Sequence, residues 1–540
     1  MQEKRIKHKI QNVIWPCVVF AGIVGVLTGG IVFAFRVISE WVIEISHTIY
    51  HFAAENPGYI PLLVLGAVAV AGVVSFFLTY SPHSRGGGIP TAVALIRGLI
   101  TFHWLRNLIF VFTSALLSFL CGIPLGNDEG PAVQMGAAVG SGVTRLVRRK
   151  HRAWERYLMT GGATAGFATA ICAPATAVLF GLEEGHRRFS PLLIMSSLSS
   201  VGTGMATLEF LCRLFDKESA LFHITIAEKM PLRLLWVALP IGLLCGGFAT
   251  LFGSFTHAVR KLLHKKLGHV HLFFKIAPVF AVVAIIGSVY ADAIGTGHHL
   301  IEALLSHRVA WYSALVLLAL RSVLVVFSND VGATGGLFTP LLSFGALIGS
   351  VVAEVFIGIG WLPQQYFVLM VVIGMTSFLA ASVRTPVTAL VLSIEVFSGL
   401  LNVLPLLLAV LVAYVMVEVL GASSINEIAM EREIHHENRG KPLHVVDVTV
   451  EAMPGSFVVG KQPRDILWPP SCTVLSVKPE NADKHFYTGG PIRENDVLRL
   501  NFITHDLDRT AMALCDLLGE QVIYDDDVIS HETVEASVNE

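Results

Sequence analysis

The sequence predicts an all-α polytopic membrane protein followed by a small soluble α+β domain, on three observations. Of its 540 residues, 54% are hydrophobic and only 14% charged, with a mean hydropathy of +0.67, whereas soluble domains carry about 25% charged residues. Residues 11–421 are filled with continuous apolar runs, among them Val13–Val37, Pro61–Leu78, Leu105–Leu120 and Val309–Phe327. Such runs match the roughly 20 residues that cross a hydrocarbon core as helix, and lack the short alternation of barrel strands. Beyond Gly421 the composition becomes charged and then breaks into short β-like runs.

Taken in order, the chain opens with a basic segment, 1–10, carrying Lys4, Arg5, Lys7 and Lys9 before the first apolar run. No signal-peptide cleavage pattern follows, and the positive-inside bias places this end in the cytoplasm. The basic runs Arg145–Arg156 and Arg260–Lys266 are expected on the same side. The net charge of −2 points to no nucleic-acid partner, and the seven scattered cysteines to neither a disulfide framework nor a zinc site. Glycine pairs such as Gly29-Gly30, Gly161-Gly162 and Gly246-Gly247 let membrane helices approach closely.

The membrane part, 11–435, contains an internal repeat. MGAAVGS at Met135–Ser141 reads against FGALIGS at Phe344–Ser350, an offset of 209. APATAVLFGLE at Ala173–Glu183 reads against TPVTALVLSIE at Thr385–Glu395, an offset of 212. The halves are therefore about 11–210 and 231–421, and binding sites in repeated membrane proteins lie where halves meet. The same alignment sets Glu129 against Phe338.

Four stretches read as helix starts in apolar surroundings: Gly86–Pro90, Glu129-Gly130-Pro131, Gly335–Pro340 and Gly421–Ile425. The first N–H groups of a helix lack intrahelical acceptors and form a positive pole that attracts anions. Glycine lets backbone approach an ion with no Cβ in the way. Several poles aimed at one point would hold an anion without a full positive charge and so release it quickly. Glu129 stands at one such pole, inside the membrane, where a carboxylate is costly and by default functional. It can occupy the pole as a built-in anion, or take a proton and swing aside.

Glu183 and Glu184 end the apolar run Ala173–Leu182. Adjacent helical residues point about 100° apart, so one can be structural while the other faces a water-filled path. Glu183 is read as structural, paired with Arg187 or Arg188, with Glu395 in the same part in the second half. His298 and His299 lack ligand-spaced partners and are read as loop residues, so no metal or other cofactor is assigned. After the charged helical stretch Ile425–Asn438 come the β-like runs His444–Val450, Cys472–Val477, His485–Thr488 and Val497–Phe502, then a helix at Leu507–Leu518. The acidic tail, 520–540, reads as disordered from Tyr524.

At these residues the chain resembles the CLC family of chloride channels and chloride/proton antiporters. Gly86–Pro90 resembles the family's GSGIP, Asp128–Pro131 the end of its GREGP, and Gly336–Pro340 its GxFxP, over about residues 10–435. The resemblance implies an inverted-repeat helical bundle with half-helices, assembled as a homodimer with one anion pathway per subunit in the plasma (inner) membrane. It implies that Glu129 is the external gating and proton-carrying glutamate and Glu184 the internal proton-transfer glutamate. It puts the anion against Gly87, Gly88, Ile89, Gly130, Leu337 and Phe338, with Ile425 at the approximate place of the inner-gate tyrosine. Three residues depart from the pattern. Gly87 replaces a serine, Asp128 a basic residue, and Ile425 that tyrosine. Each lost hydroxyl should weaken anion binding by roughly 1 kcal/mol. Chloride/proton antiport is the expected function, with a passive chloride channel or a fluoride/proton antiporter of the same fold as alternatives.

The soluble part, 443–519, resembles the C-terminal regulatory module of potassium-uptake proteins (TrkA-C, or RCK-C), through Gly460-Lys461, Cys472–Val477 and Ile492–Leu498. That implies a cytoplasmic unit that senses a small regulatory ligand or dimerises. A potassium transporter would need a cation filter such as TVGYG, and an intramembrane enzyme a nucleophile–base pair or a metal set such as HExxH; the sequence has neither.

Overall fold

The computed structural model describes residues 15–146, 149–218, 228–306, 309–397, 399–438, 440–479, 490–519 and 529–532. The basic segment 1–10, the run His485–Thr488 and most of the tail 520–540 lie outside the described residues.

The membrane part is built from the same succession of helices twice. The first half runs α1 (Trp15–Glu55), α2 (Ile60–Tyr80), α3 (Ile89–Ile96), α4 (Trp104–Leu120), α5 (Glu129–Leu146), α6 (Glu155–Ile171), α7 (Pro174–Phe180) and α8 (Pro191–Leu214). The second runs α9 (Ala238–Leu267), α10 (Leu272–Val289), α11 (His298–Ser306), α12 (Trp311–Asp330), α13 (Phe338–Ile359), α14 (Phe367–Val383), α15 (Pro386–Val396) and α16 (Val403–Val419). Long and short helices recur in matching order, and so do the packings: α1 on α8 and α9 on α16, α5 on α6 and α13 on α14. Across the seam, α2 packs on α10 and α7 on α15. Among the described residues nine helical segments are long and apolar enough to cross a membrane.

Small residues set the closest packings. A Cβ on Gly136 would lie 2.0 Å from Gly162 O, and one on Gly345 2.4 Å from Gly374 O. The α5–α6 and α13–α14 pairs thus touch backbone to backbone, as small-residue membrane interfaces do.

After α16, α17 (Ile425–Asn438) packs on α3 and leads to the soluble domain. Its charged side chains are not all solvated. Glu433 is buried beside His83 and bonded by Arg432 Nε at 3.0 Å. The soluble domain is an antiparallel sheet of β1 (Leu443–Glu451), β2 (Cys472–Lys478), β3 (Val497–Thr504) and β4 (Ile529–Glu532), in the order β2-β3-β1-β4. The helix α18 (Leu507–Leu518) closes a core of Val446, Leu498, Leu500, Phe502 and Leu514. At Ile529–Glu532 alone, β4 corrects the reading of the tail as disordered. Its backbone pairs with β1 from Leu443↔Glu532 to Val446↔Ile529, and strand pairing compensates for a composition too polar to fold alone.

Arg156 donates to Trp468 O of the soluble domain, 2.6 Å away, and Arg260 donates to Ile428 O on α17.

Candidate functional site

Three loops meet backbone to backbone at the seam between the halves. Gly126 and Gly336 form an antiparallel bridge, with Gly336 N–H donating to Gly126 O at 3.1 Å. The Gly86–Gly88 loop joins them, accepting from Gly335 N–H at 3.3 Å. A Cβ on Gly88, whose φ is +71°, would lie 2.4 Å from the carbonyl carbon of Gly130. One on Gly130 would lie 2.4 Å from Gly87 O. No larger residue could close this junction. Gly87 is different: a Cβ there would meet Leu337 Cγ at 3.4 Å, ordinary contact.

The starts of α3, α5 and α13 therefore converge, bringing Gly87, Gly88, Ile89, Gly130, Leu337 and Phe338 together. In this turn Ile89 N–H is directed at Gly87 O, 2.7 Å away. Glu129 and Phe338 are the first residues of α5 and α13, as the repeat pairs them. The Phe338 ring stands edge-on to Phe167, centroids 5.2 Å apart.

Glu129 is 1% exposed. Its Oε1 accepts from Thr339 Oγ1 in the first turn of α13, while its Oε2 is buried with no hydrogen-bond partner among the described residues. A carboxylate in that situation is costly as a bare anion and cheaper with a proton or a mobile partner.

Asp128, entered in the sequence only as a departure from a pattern, is also buried. Ser39 Oγ donates to its Oδ1 at 2.7 Å. One turn back on α1, Arg36 donates to Thr169 O at 3.1 Å and Cys172 Sγ at 3.2 Å. The available signal was an arginine inside the apolar run Val13–Val37.

Glu184, 4% exposed, lies in a π-helical turn, Gly181–His186, that continues α7; such turns recur at functional sites. Asn426 Nδ2 at the start of α17 donates to Glu184 Oε1 at 3.2 Å, next to the buried Ile425. Arg97, just after α3, donates to Glu184 O at 2.8 Å and Gly185 O at 2.7 Å.

Glu183 is structural, but not through the arginines expected for it. Its carboxylate accepts from Thr388 N–H at 2.7 Å and Val387 N–H at 3.2 Å, at the start of α15. Arg187 instead pairs with Glu427 at 2.5 Å. The open helix end is the better partner because it offers a charge and unpaired donors together. Glu395 does the same for α7, accepting from Ala175 N–H at 2.9 Å and Thr176 N–H at 2.8 Å. His298 and His299 are helical, not loop: they open α11, with Glu302 on the next turn 3.3 and 3.6 Å away.

A duplicated membrane bundle whose helix starts converge on a buried carboxylate is the architecture of an ion-translocating membrane protein. The chain belongs to the voltage gated chloride channel family, whose description matches residues 66–418. It is 27% identical over 420 residues to the H(+)/Cl(-) exchange transporter ClcA of Klebsiella pneumoniae (strain 342), covering 77% of this chain and 88% of the relative. It is 28% identical over 422 residues to the ClcA of Cronobacter sakazakii (strain ATCC BAA-894), covering 77% and 89%. Among solved structures, a slow cyanobacterial Cl-/H+ antiporter superposes with a TM-score of 0.71 at 26% identity, over 78% of this chain and 99% of that one. A CLC-type fluoride/proton antiporter shares the fold, with a TM-score of 0.63 at 23% identity, over 74% of this chain and 94% of that one.

Proposed function

We propose that this protein exchanges chloride for protons across the plasma (inner) membrane, as a homodimer with both termini on the cytoplasmic side. The observation that carries the reading is Glu129, a buried carboxylate held by Thr339 of the other half, with one oxygen unpartnered among the described residues. Deprotonated, it takes the place of an anion at the converging helix starts. Protonated, it loses its attraction to those positive poles and yields the place to chloride. Glu184, oriented by Asn426, supplies the proton from the cytoplasmic side. The relatives named as H(+)/Cl(-) exchange transporters support the choice of ions. A small regulatory ligand acts through the soluble domain.

The test is flux from vesicles holding the purified full-length chain, with anion and pH recorded together. Chloride entry is expected to drive protons uphill. Anion flux that never moves protons would make the protein a passive channel, and fluoride carried in preference to chloride would make it a fluoride/proton exchanger.

A further inference from the structure

We propose that the cleft between the membrane part and the soluble domain binds a phosphate-bearing amphiphile, of nucleotide or anionic-lipid origin. This gives a place and a chemistry to the regulatory ligand proposed above, and it is tested by binding, so its failure is separable from failure of the exchanger reading.

The cleft has a volume of about 620 Å³, enough for a molecule of nucleotide size. Arginines line it from both sides: Arg145 and Arg152 from the membrane part, Arg509 with His505 from the soluble domain. Three acids also line it, and each of them has a partner. Glu155 accepts from Ser141 Oγ at 2.7 Å and faces Arg145 at 3.8 Å, and Asp506 caps α18 by accepting from Arg509 N–H at 3.1 Å. The third is Asp516. Arg152 is exposed and has no hydrogen bond or ion pair among the described residues. Arg509 Nη2 donates across the junction to Gly98 O at 2.8 Å and Ile100 O at 2.9 Å, and the same guanidinium keeps further N–H donors. Forked donors on two walls suit a phosphate group. Phe102 and Pro470 add apolar wall that a bare inorganic anion would leave unused.

Occupancy would be felt at the transport site. Arg156, also on the cleft wall, donates to Leu467 O at 3.2 Å and Trp468 O at 2.6 Å in the soluble domain. The same side chain donates to Ile96 O at 3.0 Å and Arg97 O at 2.7 Å at the end of α3. Arg97 holds the backbone of Glu184. A ligand bridging the two walls thus fixes the spacing of a chain of hydrogen bonds that ends at the proposed internal proton donor.

The experiment titrates ADP against the full-length protein in phosphatidylcholine nanodiscs and, separately, measures thermal stabilisation when phosphatidylglycerol replaces part of that lipid. Saturable ADP binding weakened about ten-fold or more by Arg152→Gln supports a nucleotide. Stabilisation by phosphatidylglycerol that Arg152→Gln removes, without ADP binding, supports a lipid headgroup. Arg509→Lys, which keeps the charge and loses the fork, is expected to weaken whichever ligand binds. The proposal is overturned if neither probe acts, or if the acting probe is indifferent to both variants.

Discussion

Glu183 and Glu395 cap each other's helices across the seam between the halves. Glu183 receives the first N–H groups of α15, which carries Glu395, and Glu395 receives those of α7, whose continuation carries Glu183. Each also accepts from a threonine hydroxyl, Thr388 or Thr176, at 2.6 Å. Replacing either by glutamine removes the charge from a helix pole and should destabilise the protein by about 1–2 kcal/mol. Because both caps act on one helix pair, the double variant should depart from additivity. Thermal unfolding of the two single variants and the double variant checks both points.

Glu129→Gln keeps the size of the side chain and removes its ability to ionise. Proton movement should be abolished while chloride flux survives. Simultaneous anion and pH recording decides it, and unchanged coupling would mean the gate lies elsewhere.

Gly87 and Gly88 are adjacent but should respond oppositely. Gly88→Ala places a methyl group against Gly130 backbone at a positive φ and should cost about 3 kcal/mol or more, with loss of transport. Gly87→Ser meets only ordinary contact with Leu337. Its added hydroxyl should tighten chloride binding by about five- to ten-fold, near 1 kcal/mol. Calorimetric chloride titration of the serine variant is the measurement.

Asn426→Leu leaves Glu184 buried without the donor that orients it. Proton transport should slow and the chloride-to-proton ratio rise, with anion flux retained. An unchanged ratio in reconstituted vesicles would separate Glu184 from the proton route.

Lys461 predicts a pH dependence of the contact between the soluble domain and the membrane part. Its ammonium lies 3.5 Å from the Phe457 ring centroid and 5.7 Å from that of Trp154. Burial there pushes its pKa from 10.5 down to about 7. Over that window the unfolded chain holds a proton that the folded one has released, so stability rises with pH from about 7 toward 10.5, and below 7 the burial penalty is felt in full. Thermal unfolding of the full-length protein across this range should show the rise, and Lys461→Met should flatten it.

Much of the fold was legible in the residues alone. Glycine and proline mark the starts of α3, α5, α13 and α17, because backbone freedom and the missing proline N–H act locally. The amphipathic run of α18 has the bounds Leu507–Leu518 both in the sequence reading and in the structure. Glu129 could be singled out because a carboxylate inside an apolar run is rare. The loop reading of His298 and His299 fails, because two histidines after Gly297 fit a turn and a helix start equally well.

The sequence by itself determined that this chain is a duplicated membrane bundle with a carboxylate at one helix start and a small α+β unit after it. Each of those facts is written in neighbouring residues or in the likeness of one half to the other. Only the tertiary structure decided that Thr339 holds Glu129, that Ser39 holds Asp128, that Glu183 caps α15 in preference to pairing with Arg187, and that β4 joins the sheet. Those partners lie far apart along the chain. Which buried donor meets which acceptor follows from how closely glycine-lined helices pack, and no local pattern records that.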